Sequence, residues 1–204
     1  MGAPKVVVFD LGKVLLEFDF QIFARNLSGQ SELSADGVMD KIVGSDVLIN
    51  YEYGRTSSEE FYRQVSELSG YSRDYGQFEN LFGEIFTEIP EMVALQRDLR
   101  SEGVPRYIFS NTNEIAIRSI RQQFDFFSEF DGYIYSYEHG AMKPEAPLYE
   151  VVEKRVGHAG ADLVFIDDKE ENIHAAIDRG WHGIVQKNPA STRAQLADLG
   201  FNLT

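Results

Sequence analysis

Four short polar stretches in this chain carry residue types that do chemistry together. Asp10-Leu11-Gly12-Lys13 follows the apolar run Val6-Val7-Val8-Phe9, and Ser110-Asn111-Thr112-Asn113 follows Tyr107-Ile108-Phe109. Asp167-Asp168 follows Leu163-Val164-Phe165-Ile166, with Asn172 four residues beyond Asp168. A loop after Tyr133-Ile134-Tyr135 leads to Lys143-Pro144-Glu145. The inventory is three carboxylates, one hydroxyl and one ammonium. Two adjacent carboxylates at the end of a buried strand repel each other and Asp10. At ~4 Å and an effective dielectric near 20, each such pair costs on the order of 4 kcal/mol. Lys143 offsets one charge, and a divalent cation is the simplest second neutraliser. A carboxylate site without Cys or His suits a hard ion, and Mg²⁺ is held by one or two carboxylates, waters and substrate phosphate. A carboxylate beside a metal, a Lys and a hydroxyl suits an anionic substrate, and Asp is able to attack phosphorus and form an aspartyl phosphate. The plainer reading of each residue taken alone is a helix N-cap, a role open to Asp, Ser and Asn.

The elements that position these residues alternate in period. The continuous β-branched and aromatic runs read as strands buried on both faces. Between them lie helical patterns. Met92, Leu95 and Leu99 follow Pro90 and stop at Gly103; Ile115, Ile117 and Ile120 mark another. Leu148, Val151, Val152 and Val156 end at Gly157, and Ile173, Ala176 and Ile177 end at Gly180. Pro starts and Gly stops are the usual helix punctuation. This alternation predicts an α/β fold: a three-layer, Rossmann-like core with a parallel sheet and helices on both faces. In such sheets ligands bind beyond the carboxyl ends of the strands, which places the whole inventory on one rim. The segment 18–88 differs. It has no buried-strand run and four helix-like stretches, at about 20–27, 35–43, 58–68 and 75–86. It reads as a small helical cap inserted after the first strand, leaving 1–17 and 89–204 as the core.

The four stretches resemble the four motifs of the haloacid dehalogenase-like hydrolases, in that family's order and across the whole chain. The long gap between Asp10 and Ser110 matches the cap these proteins insert after the first motif. The short gap from Ser110 to Lys143 leaves no room for a second one. The wording around the motifs is closest to the branch of small bacterial sugar-phosphate phosphatases, including those acting on α-glucose 1-phosphate. The resemblance implies that Asp10 is nucleophile and metal ligand, and that the Gly12 carbonyl is a metal ligand. It implies that Ser110 and the Asn111 amide hold the phosphoryl group, and that Lys143 offsets charge as a catalytic and phosphate-binding residue. Asp168 is then the direct Mg²⁺ ligand, with Asp167 and Asn172 behind it. The expected activity is Mg²⁺-dependent hydrolysis of a small phosphorylated metabolite.

One position departs from that pattern. The family usually has an acid-base Asp two residues after the nucleophile, where this chain has Gly12. Positioned acid-base catalysis contributes typically about 10²–10⁴-fold. The first carboxyls to suspect as substitutes are Glu17 and Asp19, where the chain enters the cap. An anomeric phosphate, whose alcohol leaves easily, would need the proton less. A haloacid dehalogenase, which also lacks that Asp, and a catalytically weak phosphate-binding module remain alternatives. In the cap, Glu52-Tyr53-Gly54-Arg55 is a candidate specificity loop, with Arg55 suited to a second anionic group.

Composition excludes other classes. With 19 Lys and Arg against 33 Asp and Glu, the net charge is −14, spread along the chain. Neither nucleic-acid backbones nor anionic membranes favour such a surface. With no Cys, disulfides, thiolate catalysis and Cys-ligated zinc are excluded. The four His residues show no ligand spacing. No signal or membrane segment is visible, so a cytoplasmic location is expected. The sequence implies no protein partner and no oligomeric state.

Overall fold

The computed structural model describes residues 3–203. The strands are β1 (Val6–Phe9), β2 (Leu16–Phe18), β3 (Phe86–Glu88), β4 (Arg106–Ser110), β5 (Gly132–Tyr135), β6 (Leu163–Asp167) and β7 (His182–Val185). The first helices are α1 (Phe20–Ser28), α2 (Ala35–Val38), a π-helical turn at Met39–Val43, α3 (Asp46–Glu52), α4 (Ser58–Ser69) and α5 (Tyr75–Gly83). After them come α6 (Pro90–Ser101), α7 (Glu114–Gln123), α8 (Ser136–His139), α9 (Ala146–Val156), α10 (Glu170–Asp178) and α11 (Pro189–Asp198).

Five strands form a parallel sheet in the order β5-β4-β1-β6-β7. Successive side chains of a strand face opposite sides, and both sides here are apolar. Val7, Phe9, Ile108, Val164 and Ile166 pack with Met92, Leu95 and Leu99 of α6, Ile117 and Ile120 of α7 and Leu196 of α11. Val6, Val8, Phe109, Leu163 and Phe165 pack on the other side with Leu148 and Val152 of α9 and Ile173 and Ala176 of α10. These are the three layers expected from the strand-helix alternation.

Between β1 and α6 the chain builds a second apolar cluster, from Phe23, Leu27, Phe61, Phe78 and Phe82 among others, with Ile115 and Ala116 of α7 joining it. Two features here differ from the expectation. The chain leaves and returns through a two-stranded antiparallel ribbon, β2 against β3, with Leu16 opposite Glu88 and Phe18 opposite Phe86. The pattern at 75–86 is therefore not one helix: α5 stops at Gly83 and Phe86 opens β3. Strands of three residues carry too short a period to be read. The second feature is α3, a short helix whose start is capped by Ser45 accepting from the Val47 amide. Among the described residues no helix is long and apolar enough to cross a membrane.

Candidate active site

β1 and β6 are neighbours in parallel register, Phe9 beside Ile166, so the residues just past them meet. The Asp10 amide donates to the Ile166 carbonyl at 2.8 Å. Asp10, Asp167 and Asp168 each offer a carboxylate oxygen, and these oxygens lie within 4.8 Å of one another. Lys143, on the loop before α9, inserts its ammonium between two of the three. Nζ is 2.8 Å from Asp10 Oδ1 and 2.7 Å from Asp167 Oδ2, and it donates to the Phe109 carbonyl at 3.0 Å. Burial pushes the Asp10 carboxyl up to about 7; Lys143 pulls against that and Asp167 adds to it. Burial depresses the Lys143 ammonium, but the two carboxylates outweigh it and its pKa is raised.

The two adjacent aspartates have different surroundings. Asp167 is fully buried and its oxygens are occupied. Besides Lys143, it accepts from the Lys169 amide at 2.8 Å and from Asn172 Nδ2 at 3.0 Å to each oxygen. Asp168 is half-buried and lines the cleft with Asp10, Gly12, Ser110, Asn111, Lys143 and Asn172. Burial and Asp167 raise its pKa. The buried Asn172 Oδ1 has no hydrogen-bond partner among the described residues. The set fits a hard cation: Asp10, Gly12, Asp168 and Asn172 line one cleft, the Asn172 amide oxygen is unused, and a single ammonium is in direct contact with two of the three carboxylates.

The capping alternative does not account for these residues. The cap of α7 is Asn113, which accepts from the Ala116 amide, and neither Ser110 nor Asn111 serves there. No side chain caps α10. Ser110 is buried in the cleft wall. The Asn111 side chain has a task the sequence did not suggest. Its Nδ2 donates to the Lys143 carbonyl at 3.0 Å and its Oδ1 accepts the Lys143 amide at 2.8 Å. This clamp seats the lysine loop. Lys13 and Lys169 also line the cleft, two cations not anticipated.

Gly12 has an ordinary negative-φ backbone, and it is Lys13 beside it that is left-handed, at φ 61°. What keeps position 12 bare is Phe18: a Cβ there would lie 2.7 Å from Phe18 Cε1. The suspected substitutes for the missing acid are engaged elsewhere. Glu17 is exposed and paired with Lys13, and Asp19 is exposed and caps α1. Arg55 also turns away; it stacks over Tyr53 at 4.0 Å and donates to Asn50. Of the Glu52–Arg55 loop it is Glu52 that faces inward. It lines a second cavity, of about 440 Å³ of empty space including its open mouth, that shares Gly12, Phe18, Ser110 and Asn111 with the cleft. Most of that cavity is apolar, with walls from Leu11, Phe18, Phe20, Phe82, Phe86 and Ile120.

A Rossmann-like sheet with an acidic, lysine-neutralised rim under a helical insertion defines a class of hydrolase. The chain belongs to the haloacid dehalogenase-like hydrolase family, whose model matches residues 4–180. It is 26% identical to a sesquiterpene phosphatase of Aspergillus oryzae over 201 residues, covering 96% of each chain. It is 25% identical to a D-ribitol-5-phosphate phosphatase of Bacteroides thetaiotaomicron, over 94% of this chain and 96% of that one. Its fold matches a haloacid dehalogenase family enzyme of the same bacterium, solved with magnesium and inorganic phosphate. That match has a TM-score of 0.79 at 22% identity and covers 90% of this chain and 94% of that one.

Proposed function

We propose that this protein is a Mg²⁺-dependent phosphatase that hydrolyses small phosphate monoesters through an aspartyl phosphate on Asp10. The observation that carries this reading is the rim itself: Asp10, held by one buried lysine, beside a half-buried Asp168 that makes no direct ion pair among the described residues and feels Lys143 and Lys169 only at longer range. Asp10, Asp168 and the Gly12 carbonyl would hold the ion. Bound there, Mg²⁺ supplies positive charge that favours ionised Asp10 and offsets charge on the transferring phosphoryl group. Asp10 attacks phosphorus in line with the leaving oxygen. Ser110 and the Asn111 amide hold phosphoryl oxygens, and Lys143 keeps nucleophile and phosphate from repelling each other. Asp167 and Asn172 fix Lys143 and the α10 start. Residues 18–88 act as the cap that covers the leaving group.

The sugar phosphate suggested by the motif wording would place hydroxyls in the adjoining cavity. Its aromatic and aliphatic walls favour an apolar alcohol instead, and the likeness to a sesquiterpene phosphatase supports that choice. Each buried methylene is worth about 0.8 kcal/mol, so five of them bring up to about 10³-fold in kcat/KM over a hydroxylated analogue. The test is phosphate release from p-nitrophenyl phosphate, octyl phosphate and glucose 1-phosphate, with Mg²⁺ and with chelator. The expected order is octyl above glucose 1-phosphate, with all activity lost in chelator. Full activity in chelator would refute the metal-dependent mechanism, and a preference for the sugar would refute the apolar assignment.

A further inference from the structure

Resting on the phosphatase reading, we propose that Glu52 is the acid-base residue of this enzyme, delivering from the cap the proton that Gly12 is unable to supply. Three observations lead there. Among the described residues Glu52 is the only titratable side chain lining the cavity beside the phosphoryl seat, and that cavity shares Gly12, Ser110 and Asn111 with the cleft. Among the described residues its carboxyl makes no hydrogen bond or ion pair, while Glu17 and Asp19 are exposed and occupied. Its backbone is also locked to the core. The buried Ser136 hydroxyl donates to the Glu52 carbonyl at 2.6 Å and accepts the amide of Thr112, two residues past Ser110, at 2.9 Å. Next to it, the Tyr51 hydroxyl accepts the Ile115 amide at 3.0 Å, and a Cβ on Gly54 would lie 1.9 Å from the Tyr137 carbonyl oxygen. A cap residue held this tightly to the phosphoryl-binding loop is positioned, not incidental.

The environment suits the task. Burial among apolar walls raises the Glu52 carboxyl to about 7, with Lys169 the one charged neighbour pulling it back. A general acid works best with a pKa near the working pH. In the first half-reaction Asp10 bonds to phosphorus and the bond from phosphorus to the alcohol oxygen breaks. That oxygen keeps the electron pair and takes the Glu52 proton. In the second, water attacks the phosphorus of the aspartyl phosphate and gives a proton to the Glu52 carboxylate. The bond to Asp10 breaks with its pair returning to the carboxylate, leaving phosphate and a reprotonated Glu52.

The test compares octyl phosphate, whose alkoxide needs a proton, with p-nitrophenyl phosphate, whose phenolate does not. Glu52→Gln keeps shape and removes the transferable proton. The expected result is a fall of about 10²-fold or more in the octyl to p-nitrophenyl ratio of kcat/KM, which reports the first half-reaction alone and not the hydrolysis of the aspartyl phosphate common to both, with Glu52→Asp retaining part of it. The wild-type octyl rate should also fall as pH rises through about 7, and that limb should vanish in Glu52→Gln. A structural role would lower both substrates alike; an unchanged ratio, from equal losses or from none, overturns the assignment. If the wild type releases phosphate from neither substrate with Mg²⁺ present, the phosphatase reading falls and takes Glu52 with it. If it does release phosphate and the ratio stays constant, only the Glu52 assignment falls.

Discussion

Replacing Lys143 with Met tests whether the rim is built around one ammonium. The side chain is nearly isosteric, so its volume is kept while the charge goes, and with it the cation–π contacts of the ammonium with the Phe109 and Phe165 rings, at 5.2 and 5.3 Å from their centroids. The larger losses are two. Asp10 and Asp167 would face each other with oxygens within 4.8 Å and nothing between. At that separation and an effective dielectric of ~20 their repulsion is about 3–4 kcal/mol. The Phe109 carbonyl also loses its donor, which is worth about 1 kcal/mol. The sum agrees with the ~3–5 kcal/mol typical of breaking a buried ion pair. For a chain of this size that is a fall in Tm of roughly 6–20 °C. The assay is thermal unfolding in chelator at about pH 8 and about pH 5. The sign follows from Asp10. Its pKa in the folded protein, about 7, lies above its ordinary value, so the folded state gains a proton first as pH falls. Below that point one of the two opposed charges is gone, and the deficit of the variant should shrink at the lower pH. A variant that melts with the wild type at the higher pH would refute the electrostatic account of the rim.

Asp10→Asn should abolish turnover while unfolding at or above the wild-type temperature, since it removes a buried charge; steady-state phosphate release and a melting curve check both halves. Asp168→Asn should weaken Mg²⁺ binding, read by calorimetry, with little effect on the stability of the metal-free protein. Asp167→Asn should do the opposite, because an amide NH₂ would face Lys143 and Asn172 donors, and a loss of ~3 kcal/mol in denaturant unfolding is expected. Gly12→Ala should cost about 1–3 kcal/mol by overpacking against the Phe18 ring, and Phe18→Leu should relieve most of it; a loss that Phe18→Leu leaves untouched would place the cause elsewhere.

What the sequence made legible followed from continuity. A strand buried on both faces reads as an unbroken apolar run, so the polar residues that end β1, β4 and β6 stood out, and the sheet rule placed them on one rim. The separate surroundings of Asp167 and Asp168 were less visible. They depend on where Asn172 and Lys143 arrive, and only the meeting of α10 with the loop before α9 decides that. The ribbon of β2 and β3 was hidden because pairing between residues seventy positions apart leaves no local period. In the cap loop the charge of Arg55 drew attention, but the turn of the chain at Gly54, pressed on the Tyr137 carbonyl, sends Glu52 inward and Arg55 out. Side-chain direction there is set by tertiary contact, and no spacing rule reaches it.

The bare position at Gly12 and the apolar cavity are physically one feature. The Phe18 ring fills the space a side chain at 12 would take and forms part of the cavity wall. An Asp at that position would have to displace the ring, and would add a fourth carboxylate beside Asp10, Asp167 and Asp168, whose direct ion pairs among the described residues are with Lys143 alone. Each added repulsion at about 4–5 Å is worth several kcal/mol at an effective dielectric of ~20. An apolar wall and an acid on the core side therefore exclude each other in this geometry. On the mechanism proposed above, a proton for the leaving oxygen would come from across the cavity, from a group whose neutral form the apolar walls favour. Desolvation acts on Glu52 in that direction.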